Sequence, residues 1–166
     1  MITFVALLKN QLMKKAIFGI LAIAVLMSVS CNKSNNPPET WSFKGTNYKA
    51  NIVSGQTGVL IATQTSTIDP SILTQLSCVF ANNLLPTVPG TYTVVSGTPR
   101  ANQVAISLSF NSAQTIYKAT GGNGTQRATV SISGGMVTLV GSNITLKNTT
   151  ASSDTGTLTL NITQQQ

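Results

Sequence analysis

From Trp41 onward the chain alternates apolar and polar residues with a period of two, in short runs separated by turn residues. Successive side chains of a strand point to opposite faces, so each such run has one apolar face and one face left to water. Val104, Ile106, Leu108 and Phe110 against Ala105, Ser107 and Ser109 is the cleanest case. The same pattern predicts a hairpin: Trp41 and Phe43 lead in, Gly45-Thr46-Asn47 turns, and Tyr48, Ala50 and Ile52 return. Further strands are expected at 59–65, 76–80, 91–95, 115–119, 128–132, 136–140, 144–146 and 158–162. Turns are read at 54–58, Pro89-Gly90, 121–125, Gly134-Gly135 and Gly141-Ser142, the glycine-rich 121–125 as a hairpin loop. β-Branched Thr, Val and Ile dominate, which favours a pleated, half-buried surface. The expected domain, 41–166, is all-β: an antiparallel β-sandwich or partly open barrel of about nine or ten strands. One short helix is expected where Asp69 precedes Pro70, Ser71, Ile72 and Leu73, and Gln164-Gln165-Gln166 is expected to fray.

The first forty residues follow a different logic. Met13-Lys14-Lys15 is a basic start, and residues 16–27 form an apolar run of about 12 residues, too short for a confident permanent span, which takes about 20. Residues 1–30 therefore read as a signal segment with a helical core. The stretch 1–12 ahead of the lysines fits either a start at Met13 or an extended signal. After Cys31 the chain turns polar at once, and 31–40 reads as a disordered linker rich in Ser, Asn and Pro.

Ser28-Val29-Ser30-Cys31 resembles the end of a bacterial lipoprotein signal, in which the cysteine becomes the first mature residue and carries lipid. Ser30 and Cys31 match the last two positions of that motif, and Ser28 stands where Leu is usual. Ordinary signal-peptidase cleavage after the small residues Ser28 and Ser30 is the alternative, giving a secreted domain without lipid. The resemblance implies lipidation at Cys31 and a bilayer as partner. One acyl chain binds a membrane only marginally, so durable anchoring takes more than one. Asn32 after the cysteine, rather than Asp, implies the outer membrane by the Gram-negative sorting rule. The body is similar to small outer-membrane lipoproteins of Bacteroidota type, a family of unknown function. The likeness rests on Phe43-Lys44-Gly45-Thr46-Asn47-Tyr48-Lys49-Ala50 and on Pro89-Gly90-Thr91-Tyr92. It implies architecture and address, and no activity.

The inventory of reactive groups is short. The chain has no histidine, and its acids are Glu39, Asp69 and Asp154. A His general base, a His metal site and a carboxylate cluster are all unavailable, so no catalytic residue, metal site or cofactor is expected. Gly121-Gly122-Asn123-Gly124-Thr125 lacks the lysine of a phosphate-binding loop. After Cys31 the basic residues Lys33, Lys44, Lys49, Arg100, Lys118, Arg127 and Lys147 are spread out, with no basic stripe for nucleic acid. Cys78 shares a strand face with Leu76 and Phe80, as a small core hydrophobe does.

A non-catalytic binding or envelope-structural module is therefore expected, with a glycan or envelope polymer as its soluble partner. An enzyme that pairs Ser or Thr with Lys is the alternative. Sugar rings stack on flat apolar faces that carry a polar handle. The candidate platform residues are Tyr117, Trp41 and Tyr48: Trp41 and Tyr48 because one hairpin brings them together, and Tyr117 as the better exposed of the three.

Overall fold

A computed structural model of the protein describes residues 39–66, 68–69 and 73–165. The signal, Cys31 and nearly all of the linker lie outside the described residues, as does most of the helical turn expected after Asp69. Leu73, placed at the end of that turn, instead opens a strand.

The described residues form eleven strands: β1 (Thr40–Phe43), β2 (Thr46–Lys49), β3 (Ile52–Gln56), β4 (Val59–Thr65), β5 (Leu73–Phe80), β6 (Gly90–Val95), β7 (Gln103–Phe110), β8 (Thr115–Ala119), β9 (Arg127–Ser133), β10 (Met136–Asn148) and β11 (Thr155–Thr163). They make one hydrogen-bonded sheet in the order β2-β1-β11-β10-β9-β6-β7-β5-β4-β3, with β8 paired to both β7 and β10. The domain is all-β, as the alternation predicts. It departs from the expectation in two ways: there are eleven strands rather than nine or ten, and the sheet is mixed rather than antiparallel.

The mixed pair is β6 with β7, parallel over Thr93↔Gln103, Val94↔Val104 and Val95↔Ala105. Parallel neighbours usually need a crossover of a dozen or more residues. Here only residues 96–102 intervene, and they suffice because the overlap is three residues long and the chain has little distance to retrace.

Two further departures come from backbone geometry. Residues 48–52 are not one strand. The N–H of Ala50 donates to Glu39 O at 2.8 Å, whereas that of Asn51 donates to Thr63 O at 2.8 Å. The chain thus changes neighbour within one peptide, and the alternation changes phase: Val53 is fully buried and Ile52 is exposed. In the other direction, Gly141-Ser142 is not a turn. β10 runs through it, and Ser142 and Asn143 together stand against Thr159 alone, between the pairs Gly141↔Leu160 and Ile144↔Leu158. This is a β-bulge, with Asn143 at φ 55°. Before the bulge one edge of β10 pairs with β9, and after it with β8. Residues 121–125 accordingly connect two strands that do not pair with each other, so they are not a hairpin loop.

The inward faces form a single cluster that includes Trp41, Phe43, Val53, Leu60, Leu76, Cys78, Phe80, Leu108, Leu139, Leu158 and Ile162. Each such large side chain contributes about 1.5–3 kcal/mol when fully withdrawn from water. Cys78 is a free, buried thiol, and burial pushes its pKa far up. The two end strands of the sheet, β2 and β3, are consecutive in sequence and joined only by Ala50 and Asn51. The chain therefore crosses from one margin of the sheet to the other at these two residues, which form its seam. Gln165 N–H adds a bond to Val53 O at 2.9 Å and Gln164 N–H one to Val137 O at 2.8 Å, so these glutamines are held rather than frayed.

Candidate functional site

The β1–β2 hairpin turns through Lys44 and Gly45, at φ 49° and 78°. Two consecutive residues in the left-handed region make the tight turn whose twist matches the flanking strands. A lysine there carries a local conformational cost, of about 1 kcal/mol or more. It is offset by what the Lys44 side chain reaches. The ammonium pairs with Asp154, donates to the Tyr117 hydroxyl at 3.0 Å, and lies 4.7 Å from the centroid of the Tyr117 ring. Tyr117 in turn donates to Asp154 Oδ2 at 2.5 Å, and Asn148 Nδ2 donates to the same oxygen at 3.3 Å. The Lys44 ammonium, then the Tyr117 hydroxyl, hold the Asp154 carboxyl down at about 2, while Asp154 and then Tyr117 raise the Lys44 pKa. This arrangement keeps both partners charged. It is a latch across β1, β8 and the turn before β11, and neither group is poised to donate or take a proton near neutrality.

Tyr117 is thus not the exposed platform the sequence predicts. It is 6% exposed, with its ring edge-on to Phe43 at 4.8 Å and to Phe110 at 5.9 Å. Alternation with Ile116 and Lys118 defines two faces without saying which is inner; the ring is packed inward on Phe43 and Phe110, and only its hydroxyl reaches the exposed pair Lys44 and Asp154. Trp41 is also buried, at 2% exposure. Tyr48, directly across from it in the hairpin register, is half-buried, and the two rings stack. Of the three expected aromatics, only Tyr48 reaches the surface.

Tyr48 forms one wall of a cleft of about 310 Å3 at the seam of the sheet. The other lining residues are Thr46 and Asn47 on β2, Gln64, Thr65 and Ser66 at the end of β4, and Thr74 on β5. None is charged. The end of β4 is fixed by Asn51, whose side-chain oxygen accepts the Thr65 N–H at 2.9 Å. Burial raises the Tyr48 phenol pKa, opposed by a hydrogen bond with Thr46, so the ring presents a neutral face. Gln64 Oε1 is buried without a hydrogen-bond partner, and so is the indole N–H of Trp41 beneath Tyr48. Sequence reasoning missed Gln64, Thr65, Ser66 and Thr74. Gln64 and Thr74 are polar residues on the inward faces of β4 and β5, opposite each other in the register next to the buried pair Ala62 and Leu76, and only the seam brings them, with Thr65 and Ser66, to β2.

A second depression, of about 460 Å3, lies on the outer side of β7 and β8 beneath residues 96–99. Its floor includes Val79, Val95 and Ala105, and Ser107 stands directly opposite Lys118 at its side. A lysine that activates a serine must be desolvated. Lys118 is exposed, and among the described residues no hydrogen bond joins it to Ser107. Among the described residues there is likewise no cluster of three or more metal-ligating side chains. Comparison of the chain with protein-family models, curated proteins and solved structures returns no match.

Proposed function

We propose that this protein is a lipid-anchored extracytoplasmic module that binds a neutral envelope polymer, most simply a glycan, and does no chemistry on it. The Tyr48 cleft carries the reading. It sets one aromatic face among six side chains that offer hydroxyl or amide groups and no charge. Sugars present apolar C–H faces and rings of hydroxyls, and these two surfaces match that lining. An ionic ligand would gain no charge complementarity from it. The anchor rests on the basic start, the apolar run and Cys31, and the outer membrane on Asn32. We read the sheet as a partly open barrel. The joining of β2 to β3 through two residues, the Gln165–Val53 bond and the double pairing of β8 support that shape. A second reading, a Ser/Lys enzyme, is favoured only by the facing pair Ser107 and Lys118.

The test is a screen of the detergent-solubilised full chain against neutral and acidic glycans, at low and high salt. Retention on neutral glycans that salt leaves unchanged is expected, because uncharged contacts are not screened. Retention on acidic polymers alone, abolished by salt, would overturn the reading. The anchor is tested separately by growing cells with labelled palmitate. Wild type should carry label and Cys31→Ala should not, and equal label in both would refute lipidation.

A further inference from the structure

Among the described residues three buried side-chain polar atoms have no partner: Trp41 Nε1, Gln64 Oε1 and Gln126 Oε1. Gln126 packs beside Gly122 in a connecting loop. Of the other two, Gln64 lines the Tyr48 cleft, whereas Trp41, although stacked on Tyr48, is not part of the cleft lining. Buried polar groups in folded proteins are paired in the great majority of cases, because leaving one unpaired forfeits its hydration without compensation. A leucine or methionine at position 64 would fill similar space and carry no such cost. An orphaned acceptor kept in the wall of a cleft is explained when a ligand completes it.

We propose that Gln64 is the specificity-determining residue of the Tyr48 cleft, its side-chain oxygen accepting a hydrogen bond from one hydroxyl of a neutral sugar that stacks on Tyr48. This rests on the glycan-binding reading and adds to it the group that reads the ligand. As the side chain stands the oxygen is closed off, and presenting it to the cleft takes a turn about the broad, two-fold terminal torsion of glutamine, which carries the amide nitrogen to the oxygen's former place. A sugar lacking that hydroxyl would leave the acceptor orphaned in the complex as well. The acceptor is unpaired in the free protein too, so the preference for the parent sugar is the worth of this one hydrogen bond.

The experiment uses the detergent-solubilised full chain, with fluorescent neutral oligosaccharides of glucose, mannose, galactose and N-acetylglucosamine and the mono-deoxy forms of whichever is retained. Wild type should prefer the parent sugar to one deoxy form by at least about tenfold, the equivalent of one hydrogen bond to an otherwise unpaired group. Gln64→Leu should lose at least about tenfold in affinity for the parent, bind parent and deoxy forms alike, and melt no lower than wild type. Gln64→Glu, which keeps an acceptor, should retain the preference. Parent binding by Gln64→Leu equal to wild type would overturn the role of Gln64 and leave the glycan reading standing. A clear drop in the melting temperature of Gln64→Leu would also overturn it, because the oxygen would then have a partner in the fold. Failure of wild type to retain any of the sugars would remove both the reading and the proposal.

Discussion

The indole of Trp41 lies face to face with the phenol ring of Tyr48, their centroids 5.5 Å apart and their planes 8° from parallel. The pair sits across the β1–β2 hairpin, one ring sealed in the core and the other at the wall of the cleft. Their contributions should therefore separate. Trp41→Ala should cost about 3–5 kcal/mol, as large aromatic truncations in a core do. Tyr48→Ala, starting from a half-buried ring, should cost about 1–2 kcal/mol and abolish glycan retention while the protein stays folded. Urea unfolding of both variants measures the difference, and equal costs would place Tyr48 in the core with Trp41.

The carboxyl groups give the acid stability profile two opposing slopes. Asp154 is held at about 2 against an ordinary 3.8, chiefly by Lys44, so its contribution is present above the ordinary value and lost as pH falls toward 2. Glu39 is raised above its ordinary 4.5 by burial, although its carboxylate accepts the Thr163 N–H at 2.7 Å. The folded state then holds the proton longer, and stability declines as pH climbs from 4.5 through the raised value. Asp154→Asn should flatten the lower limb, and Glu39→Gln the upper. Lys44, raised above 10.5, adds a share that disappears only when pH rises through its folded value. Denaturant midpoints collected across the acid range read the two carboxylate slopes directly.

Cys78 should resist thiol reagents in the native protein and react readily once unfolded. It is fully buried, and its thiolate is disfavoured by burial. Native labelling at the denatured rate would contradict its place in the core.

Gly58 turns β3 into β4 at φ 75°, and a Cβ built there would stand 2.1 Å from the carbonyl carbon of Asn83. Its own carbonyl accepts the Phe80 N–H at 2.8 Å. Gly58→Ala meets both a left-handed backbone and an immovable neighbour, and should cost about 3 kcal/mol by thermal or urea unfolding. Gly45→Ala, with open space around it, should cost only the backbone share.

The sequence made some of this visible and hid the rest for identifiable reasons. Runs such as Val59–Thr65 and Thr115–Ala119 are bounded by turn residues, and their limits are those of β4 and β8. Cys78 aligns with Leu76 and Phe80 on one face, and that face is the buried one. The phase change at Ala50 and Asn51 was illegible because it depends on two acceptors far from each other in sequence, Glu39 just ahead of β1 and Thr63 on β4. Gly141-Ser142-Asn143 has the composition of a turn and the geometry of a bulge, and only the partner Thr159 distinguishes them. Tyr117 found Lys44 at a separation of 73 residues, and no local pattern announces such a meeting. The Tyr48 cleft is half legible in the same sense. Its aromatic belongs to a hairpin the alternation predicts, whereas Gln64 and Thr74 belong to β4 and β5 and line the same cleft only in the folded domain.

The pairing of β1 with β11, Trp41 opposite Leu160 and Phe43 opposite Leu158, ties the beginning of the domain to its end. A chain that emerges amino-terminus first, from a ribosome or through a narrow pore, presents β1 long before its partner exists. Until nearly the whole sequence has followed, the β1–β2 hairpin lacks the strand that pairs with the other edge of β1. Contacts of such high sequence separation form late and slowly. The domain becomes a single unit only after the last strand has arrived.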